Sequence, residues 1–244
     1  NYKFIYGDML NVERLKSALD GVDGVILLAG LVGDPITKKY PNESAAINDE
    51  GVKNVIDLCG QMNLKQFIFI STCSNYGLIN VDELAHEEFV LNPLSLYAKS
   101  KVNAEKYLLS FKGKTEMNPT ILRFATAFGL SPRMRFDLTV SEFTRDMAMG
   151  KDLLVYDANT WRPYCHVEDF ARLIQMVIEA PSNKTSFEVF NAGGNINNAT
   201  KQMIVNLILK KNPGAKVEYQ KHGSDPRNYK VNFEKVKSVL GFEP

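Results

Sequence analysis

The run Phe67-Ile68-Phe69-Ile70, the turn Ser71-Thr72-Cys73-Ser74-Asn75-Tyr76-Gly77 and the segment from Pro93 to Lys101 together decide how the chain folds. Four consecutive large apolar residues imply a strand buried on both faces, as in a parallel sheet. The strand empties into small hydroxylated residues, and an open parallel sheet places its ligand at the carboxyl ends of its strands. Pro93 and Ser95 introduce a helix whose first turns hold Tyr97-Ala98-Lys99-Ser100-Lys101. Four apart on that helix, Tyr97 and Lys101 share a face.

That spacing has a chemical use. A phenol loses its proton only at about pH 10, so it is a poor base at neutrality. A neighbouring ammonium favours the phenolate and brings the tyrosine into range for taking a proton from an alcohol. Thr72 offers a second hydrogen bond to the same alcohol oxygen. Tyr-x-x-x-Lys by itself carries no weight, because a chain of this composition holds about one such pair by chance. The order of strand, hydroxyl-rich turn and helix entry carries the reading.

The composition is that of an ordinary soluble globular protein, with 45% hydrophobic and 23% charged residues. A net charge of +1 gives no reason to invoke nucleic acid or a membrane surface. No apolar run approaches a membrane span, and no signal peptide is visible. Cys59, Cys73 and Cys165 lie far apart, as do His86, His166 and His222, so no metal site is expected and reduced thiols in the cytoplasm are the simplest inference.

Outward from the central stretch, elements alternate. Phe4-Ile5-Tyr6 reads as a strand ending at Gly7-Asp8, and Val12, Leu15, Ala18 and Leu19 give one helical face. Val25-Ile26-Leu27-Leu28 reads as a second buried strand, ending in Ala29-Gly30-Leu31, where small residues let the backbone approach a ligand. Residues 41–60 read as one long helix, with Val52, Val55, Ile56 and Cys59 at helical spacing. Thr120 to Phe124 is another central strand. Beyond it come a helix through Phe143 and Met147, a short strand at 153–156, and a helix marked by Phe170, Leu173, Ile174 and Val177. A strand at 187–190, a helix through Met203 and Leu207, a strand at 216–219 and a helix from Phe233 to Leu240, stopped by Gly241, complete the pattern. The loop Ser131 to Asp137, with Arg133 and Arg135, is either a lid that reads an anionic substrate or a solvated turn.

In this order the residues resemble the extended short-chain dehydrogenase/reductase family, in its NAD-dependent, nucleotide-sugar epimerase and dehydratase branch. Residues 71–77 look like the family's Ser-Ser/Thr-x-x-x-Tyr-Gly segment, with Tyr97 and Lys101 at the usual distance beyond it. Asn48-Asp49-Glu50-Gly51-Val52 resembles its Asn-x-x-Gly-Thr segment. Residues 123–129 match its Arg-x-x-Asn-Val-Tyr-Gly segment, except that Thr126 stands where Asn is usual, which leaves the sugar-side contact open. Residues 162–169 resemble Arg-x-Phe/Tyr-x-His-Val-x-Asp. The resemblance implies an α/β, Rossmann-like, doubly wound parallel sheet in residues 1–129, truncated at its N-terminus. A smaller C-terminal substrate lobe would fill 130–244, with 168–194 returning to the main sheet.

It further implies a cofactor, NAD with NADP also open, lined by Asp8, Met9, Leu28, Ala29, Gly30, Asn48, Ser71, Tyr97, Lys101, Phe124 and Ala127. Asp8 would sit beside the adenine with Met9 on the ring, although Asp8 equally well only opens the following helix. Asn48 would brace backbone near the nicotinamide ribose. A nucleotide-sugar substrate would meet Cys73, Ser74, Thr126, Arg162 and Arg227, the arginine fork of Arg162 suiting a diphosphate. Thr72, Tyr97 and Lys101 would be catalytic. A homodimer through the helix of Tyr97 and the helix at 41–60 is the family's usual assembly.

Gly-x-x-Gly-x-x-Gly, the turn that lays a pyrophosphate on a helix N-terminus, does not occur in a strand–turn–helix context, since Gly21, Gly24 and Gly30 do not fit it. By the family's order, about fifty residues forming a strand-helix-strand unit are expected before Asn1. Three functions compete: a nucleotide-sugar 4-epimerase working by transient oxidation, a nucleotide-sugar dehydrogenase or keto-reductase, and a redox-silent binding protein that keeps the fold. Dehydration is disfavoured, because Cys73-Ser74 stand where the family places Asp-Glu.

Overall fold

The computed structural model describes residues 2–62, 64–80, 82–221 and 227–244. Helix α1 (Val12–Leu19) begins at Asn11, whose side chain accepts the N–H of Arg14 at 2.9 Å, one of the donors a helix start leaves open. Strand β1 (Gly24–Leu27), helices α2 (Asp34–Lys39) and α3 (Pro41–Ala45), a π-helical segment (Ala46–Gly51) and α4 (Val52–Gln61) follow. Next are β2 (Gln66–Thr72), a short turn of helix at Cys73–Tyr76, β3 (Leu84–Ala85), α5 (Leu96–Leu109), β4 (Pro119–Phe124) and β5 (Thr126–Phe128). The remainder is α6 (Thr139–Ala148), β6 (Leu153–Tyr156), β7 (Trp161–His166), α7 (Val167–Glu179), α8 (Ser182–Thr185), β8 (Glu188–Ala192), β9 (Asn198–Thr200), α9 (Lys201–Leu209), β10 (Val217–Gln220), β11 (Lys230–Val231) and α10 (Glu234–Leu240).

The main sheet is parallel, with strand order β1-β2-β4-β8, and successive strands are joined through helices as parallel neighbours require. Ile26 of β1 lies opposite Ile68 of β2. β2 is buried from Phe67 to Thr72, as its unbroken apolar run predicts. Two compact units divide the chain, which crosses between them repeatedly: Asn1–Asn75, Pro93–Arg123 and Val177–Phe190 form the first, and Tyr76–Asn92, Phe124–Met176 and Asn191–Pro244 the second. In the first, Val55, Ile56 and Cys59 of α4, with Ala104 and Leu108 of α5, pack on Phe67 and Phe69 of β2 and Ile121 of β4. Each such large side chain contributes about 1.5–3 kcal/mol by leaving water.

The second unit has its own core, in which Phe143 and Met147 of α6 meet Leu153 and Val155 of β6, Tyr164 of β7, and Ile204 and Val205 of α9. β5 runs parallel to β7, β9 antiparallel to it, and β6 pairs with β10 and β3 with β11, both parallel. Side-chain amides complete this unit's ladders. Asn198 accepts Val231 N–H and donates to Val231 C=O, both at 2.9 Å. Asn191 accepts Tyr76 Oη–H at 2.7 Å and donates to the carbonyls of Ala85 and Asn232. No helix among the described residues is long and apolar enough to cross a membrane.

Three sequence expectations need correction. Phe4-Ile5-Tyr6 is not a strand: among the described residues no strand pairs with it, and Phe4 and Tyr6 stand 72% and 83% exposed. A strand without a partner leaves its backbone groups to water and gains nothing from extension. β1 is an edge rather than a doubly covered strand, with Leu27 alone in it buried and Ile26 exposed. The helix expected over 41–60 is helical throughout but in three pieces, because the Ala46–Gly51 segment takes a wider turn. Of the C-terminal loop, Asp225 and Pro226, with His222 before them, lie outside the described residues.

Candidate active site

Ser95 caps α5, its Oγ accepting the N–H of Ala98 at 3.1 Å, and so fixes where the helix carrying Tyr97 and Lys101 begins. Tyr97 is half-buried and Lys101 is 6% exposed. Lys101 Nζ donates to the carbonyl of Ile70 at 2.8 Å, and stands 5.9 Å from the Tyr97 ring centroid and 4.7 Å from that of Phe69. Burial pulls its pKa down from 10.5 to about 8, opposed by the negative charge of Glu105 one turn further on. A lysine able to change charge near neutrality therefore lies beside the tyrosine. Thr72, at the end of β2, is buried, and its Oγ1 accepts the N–H of Ser74 at 3.1 Å, which orients the hydroxyl.

The turn after β1 is held by Asn48. Its carboxamide accepts Leu31 N–H at 2.8 Å and donates to Leu31 C=O at 2.9 Å and to Ser44 Oγ at 3.2 Å. Gly30 has φ 153°, and a Cβ there would lie 2.9 Å from Asn48 Oδ1, so only glycine lets the brace form. Asp8, Met9, Ala29 and Gly30, all expected cofactor contacts, line one open cleft of about 600 Å³ together with Gly7, Arg14, Leu31 and Ile47. Asp8 accepts the N–H of Leu10 at 2.9 Å, and Met9 packs against Gly51. An acidic residue, a thioether and a close-approach glycine around one cleft fit the adenosine end of a dinucleotide. Leu28 is exposed just beyond β1, and Ser71 is buried on Glu105. Cys73 is buried and donates to the carbonyl of Arg123 at 3.1 Å, while Ser74 is half-buried. Burial pushes the Cys59 thiol up to about 12, which suits its place in the core.

The second unit holds the other expected residues. Phe124 stacks on Phe170 with centroids 3.7 Å apart, and Thr126 and Ala127 are half-buried in β5. Arg162 is buried, donates to the carbonyls of Trp161 and Arg227, and lies 5.0 Å from the Tyr229 ring. It meets Arg227 through the latter's backbone. His166 accepts the N–H of Glu168 at the start of α7 and packs against Gly129, a structural placement. Arg135 forks onto Asp137 at 2.8 and 2.7 Å and holds that carboxyl below its usual range, so in the 131–137 loop this arginine is already paired.

One group was missed in the sequence. Glu105 and Arg123 are 1% and 4% exposed and form a buried ion pair of 2.6 Å. Glu105 also receives Ser71 Oγ–H and, at 2.8 Å, the amide of Asn75. The signal was the spacing Tyr97, Lys101, Glu105, three residues four apart on one stripe of α5.

A family profile described as "NAD dependent epimerase/dehydratase family" matches residues 1–193. The UDP-glucuronate 4-epimerase of Thermodesulfobacterium geofontis is 26% identical over 253 residues, spanning 100% of this chain and 75% of that protein. The UDP-glucose 4-epimerase of Thermotoga maritima, solved with UDP-glucose, superposes with a TM-score of 0.89 at 25% identity, covering 100% of this chain and 80% of the other. The UDP-glucuronic acid 4-epimerase of Bacillus cereus, in complex with UDP-glucuronic acid and NAD, gives 0.86 at 26% identity, covering 99% and 76%. With the profile matching most of its length, the chain belongs to the NAD-dependent epimerase/dehydratase family.

Proposed function

We propose that this chain is a nucleotide-sugar 4-epimerase that works by transient oxidation of a sugar hydroxyl. The observation that supports this most is the seating of Lys101, whose ammonium is desolvated, tied to the end of β2 and set beside the Tyr97 ring. Tyr97 takes the proton of the hydroxyl at carbon 4 and returns it, Lys101 favours the phenolate, and Thr72 steadies the substrate oxygen. Bound NAD would supply the hydride acceptor and donor for that carbon, and this chain's own residues would hold the sugar and handle the proton. Asp8 and Met9 would hold the cofactor's adenosine end, and Asn48 keeps the Gly30–Leu31 turn in shape for it. Arg162 is assigned to the substrate's diphosphate, and Arg227 to its phosphates or ribose. The relatives that act on UDP-glucose and UDP-glucuronate make UDP-sugars the first substrates to try.

Replacing Tyr97 by Phe keeps the ring and removes the proton carrier. Turnover of UDP-glucose or UDP-glucuronate by the full-length protein should fall by about 10²–10⁴-fold with folding unchanged. Wild-type turnover in that variant would remove the assignment. Release of free NADH in stoichiometric amount would instead favour the dehydrogenase reading.

A further inference from the structure

Glu105 lies on the same stripe of α5 as Tyr97 and Lys101, one turn beyond Lys101 and about 12 Å along the axis from Tyr97. Its carboxylate gathers three segments of the first unit. Arg123 of β4 donates Nε to both oxygens at 3.1 Å and Nη2 to one at 2.6 Å. Ser71 donates from the end of β2, and Asn75 donates at 2.8 Å from the turn that follows. Ser71 and Asn75 bracket Thr72, and Asn75 Nδ2 also bonds Ser71 Oγ at 3.1 Å. Cys73, between them, donates to the carbonyl of Arg123. The turn that carries the threonine is thus tied at two residues to the Glu105 carboxylate and at a third to the backbone of Arg123.

The energetics argue that this pair is not there to stabilise the fold. Two charges taken out of water are often no better than apolar groups of the same volume. Asn75 is fully buried, yet its Oδ1 has no hydrogen-bond partner among the described residues. A buried oxygen is left unsatisfied while the same amide donates twice into the cluster. Such a cluster is understandable if it defines a geometry.

We propose that Glu105 is a positioning residue: its carboxylate, locked by Arg123, sets the height and rotation of α5 against the Ser71–Asn75 turn and so fixes Tyr97 relative to Thr72. This rests on the reading of Tyr97, Lys101 and Thr72 given above. The test uses the full-length protein with NAD and UDP-glucose or UDP-glucuronate, comparing Glu105→Gln with the double variant Glu105→Leu/Arg123→Met. The double variant removes both charges together and so buries no unpaired charge, which offsets the loss of an acceptor for Ser71 and Asn75, and it should fold. Both variants should lose about 10²-fold in kcat, the scale of a small misplacement of reacting groups, with KM within twofold of wild type. Glu105→Asp, which keeps the charge and shortens the reach, should recover part of the loss.

A double variant with native stability and wild-type kcat would overturn the inference, as would failure of both variants to fold, which would assign the carboxylate to the fold alone. Tyr97→Phe, run alongside, separates the two levels. If it is inactive while the Glu105 variants are fully active, the positioning role falls and the proposed function stands; if it is fully active, the proposed function falls.

Discussion

At the scale of single residues, burial makes Lys101 a burden to the fold. Below about pH 8 it is charged in both folded and unfolded chains, and the folded state carries the whole desolvation penalty. Between about 8 and 10.5 the folded chain sheds the proton first, and the penalty shrinks as pH rises. Lys101→Met should therefore raise stability at pH 7 by about 2 kcal/mol, allowing for the lost bond to Ile70. The gain should fade toward pH 10.5 while turnover collapses, and urea midpoints at pH 7 and pH 10 would check the sign. An equal effect at both pH values would contradict it. Tyr97 and Lys101 were legible because a buried strand, a hydroxyl-rich turn and a helix entry precede them in order, and Asn48 because its segment resembles the family's Asn-x-x-Gly-Thr. Glu105 was not, because a glutamate in a helix reads as solvent-facing until a buried arginine from another strand is known to meet it.

At the scale of elements, apolar runs announced β2 and β4, and helical spacing announced α4 and α9. The Ser95 cap was visible as well, and it lends itself to measurement. Ser95→Ala should cost about 1 kcal/mol of stability, and Ser95→Asp, which restores an acceptor for the Ala98 N–H, should recover most of it. Equal denaturant midpoints for wild type and Ser95→Ala would show that another group caps α5. The run in β1 was misread because an apolar stretch looks alike at the edge of a sheet and at its centre; the neighbours decide, and they come from elsewhere in the chain. The wide turn at Ala46–Gly51 had no sequence mark either, since one residue more per turn leaves composition and hydropathy untouched.

For the whole molecule, parallel α/β architecture followed from the alternation of elements, and two lobes with a late return to the sheet were expected from the family resemblance; the repeated crossings at 75–76, 92–93, 123–124, 176–177 and 190–191 were not. Long-range contacts of that kind leave no local trace. The chain has the cleft proposed above for the adenosine, but no glycine-rich turn in a strand–turn–helix context to lay a pyrophosphate on a helix N-terminus. Calorimetry on the 244-residue polypeptide is therefore expected to give NAD affinity weaker than micromolar, and a micromolar constant would refute this. The outer side of β1 has a further consequence. Among the described residues no strand pairs with it, and Ile26 and the neighbouring Leu28 are exposed, so it is a short template onto which an identical polypeptide can hydrogen-bond. Concentrated preparations of these 244 residues should accordingly turn cloudy over time, and a charged side chain in place of Ile26 should keep them clear.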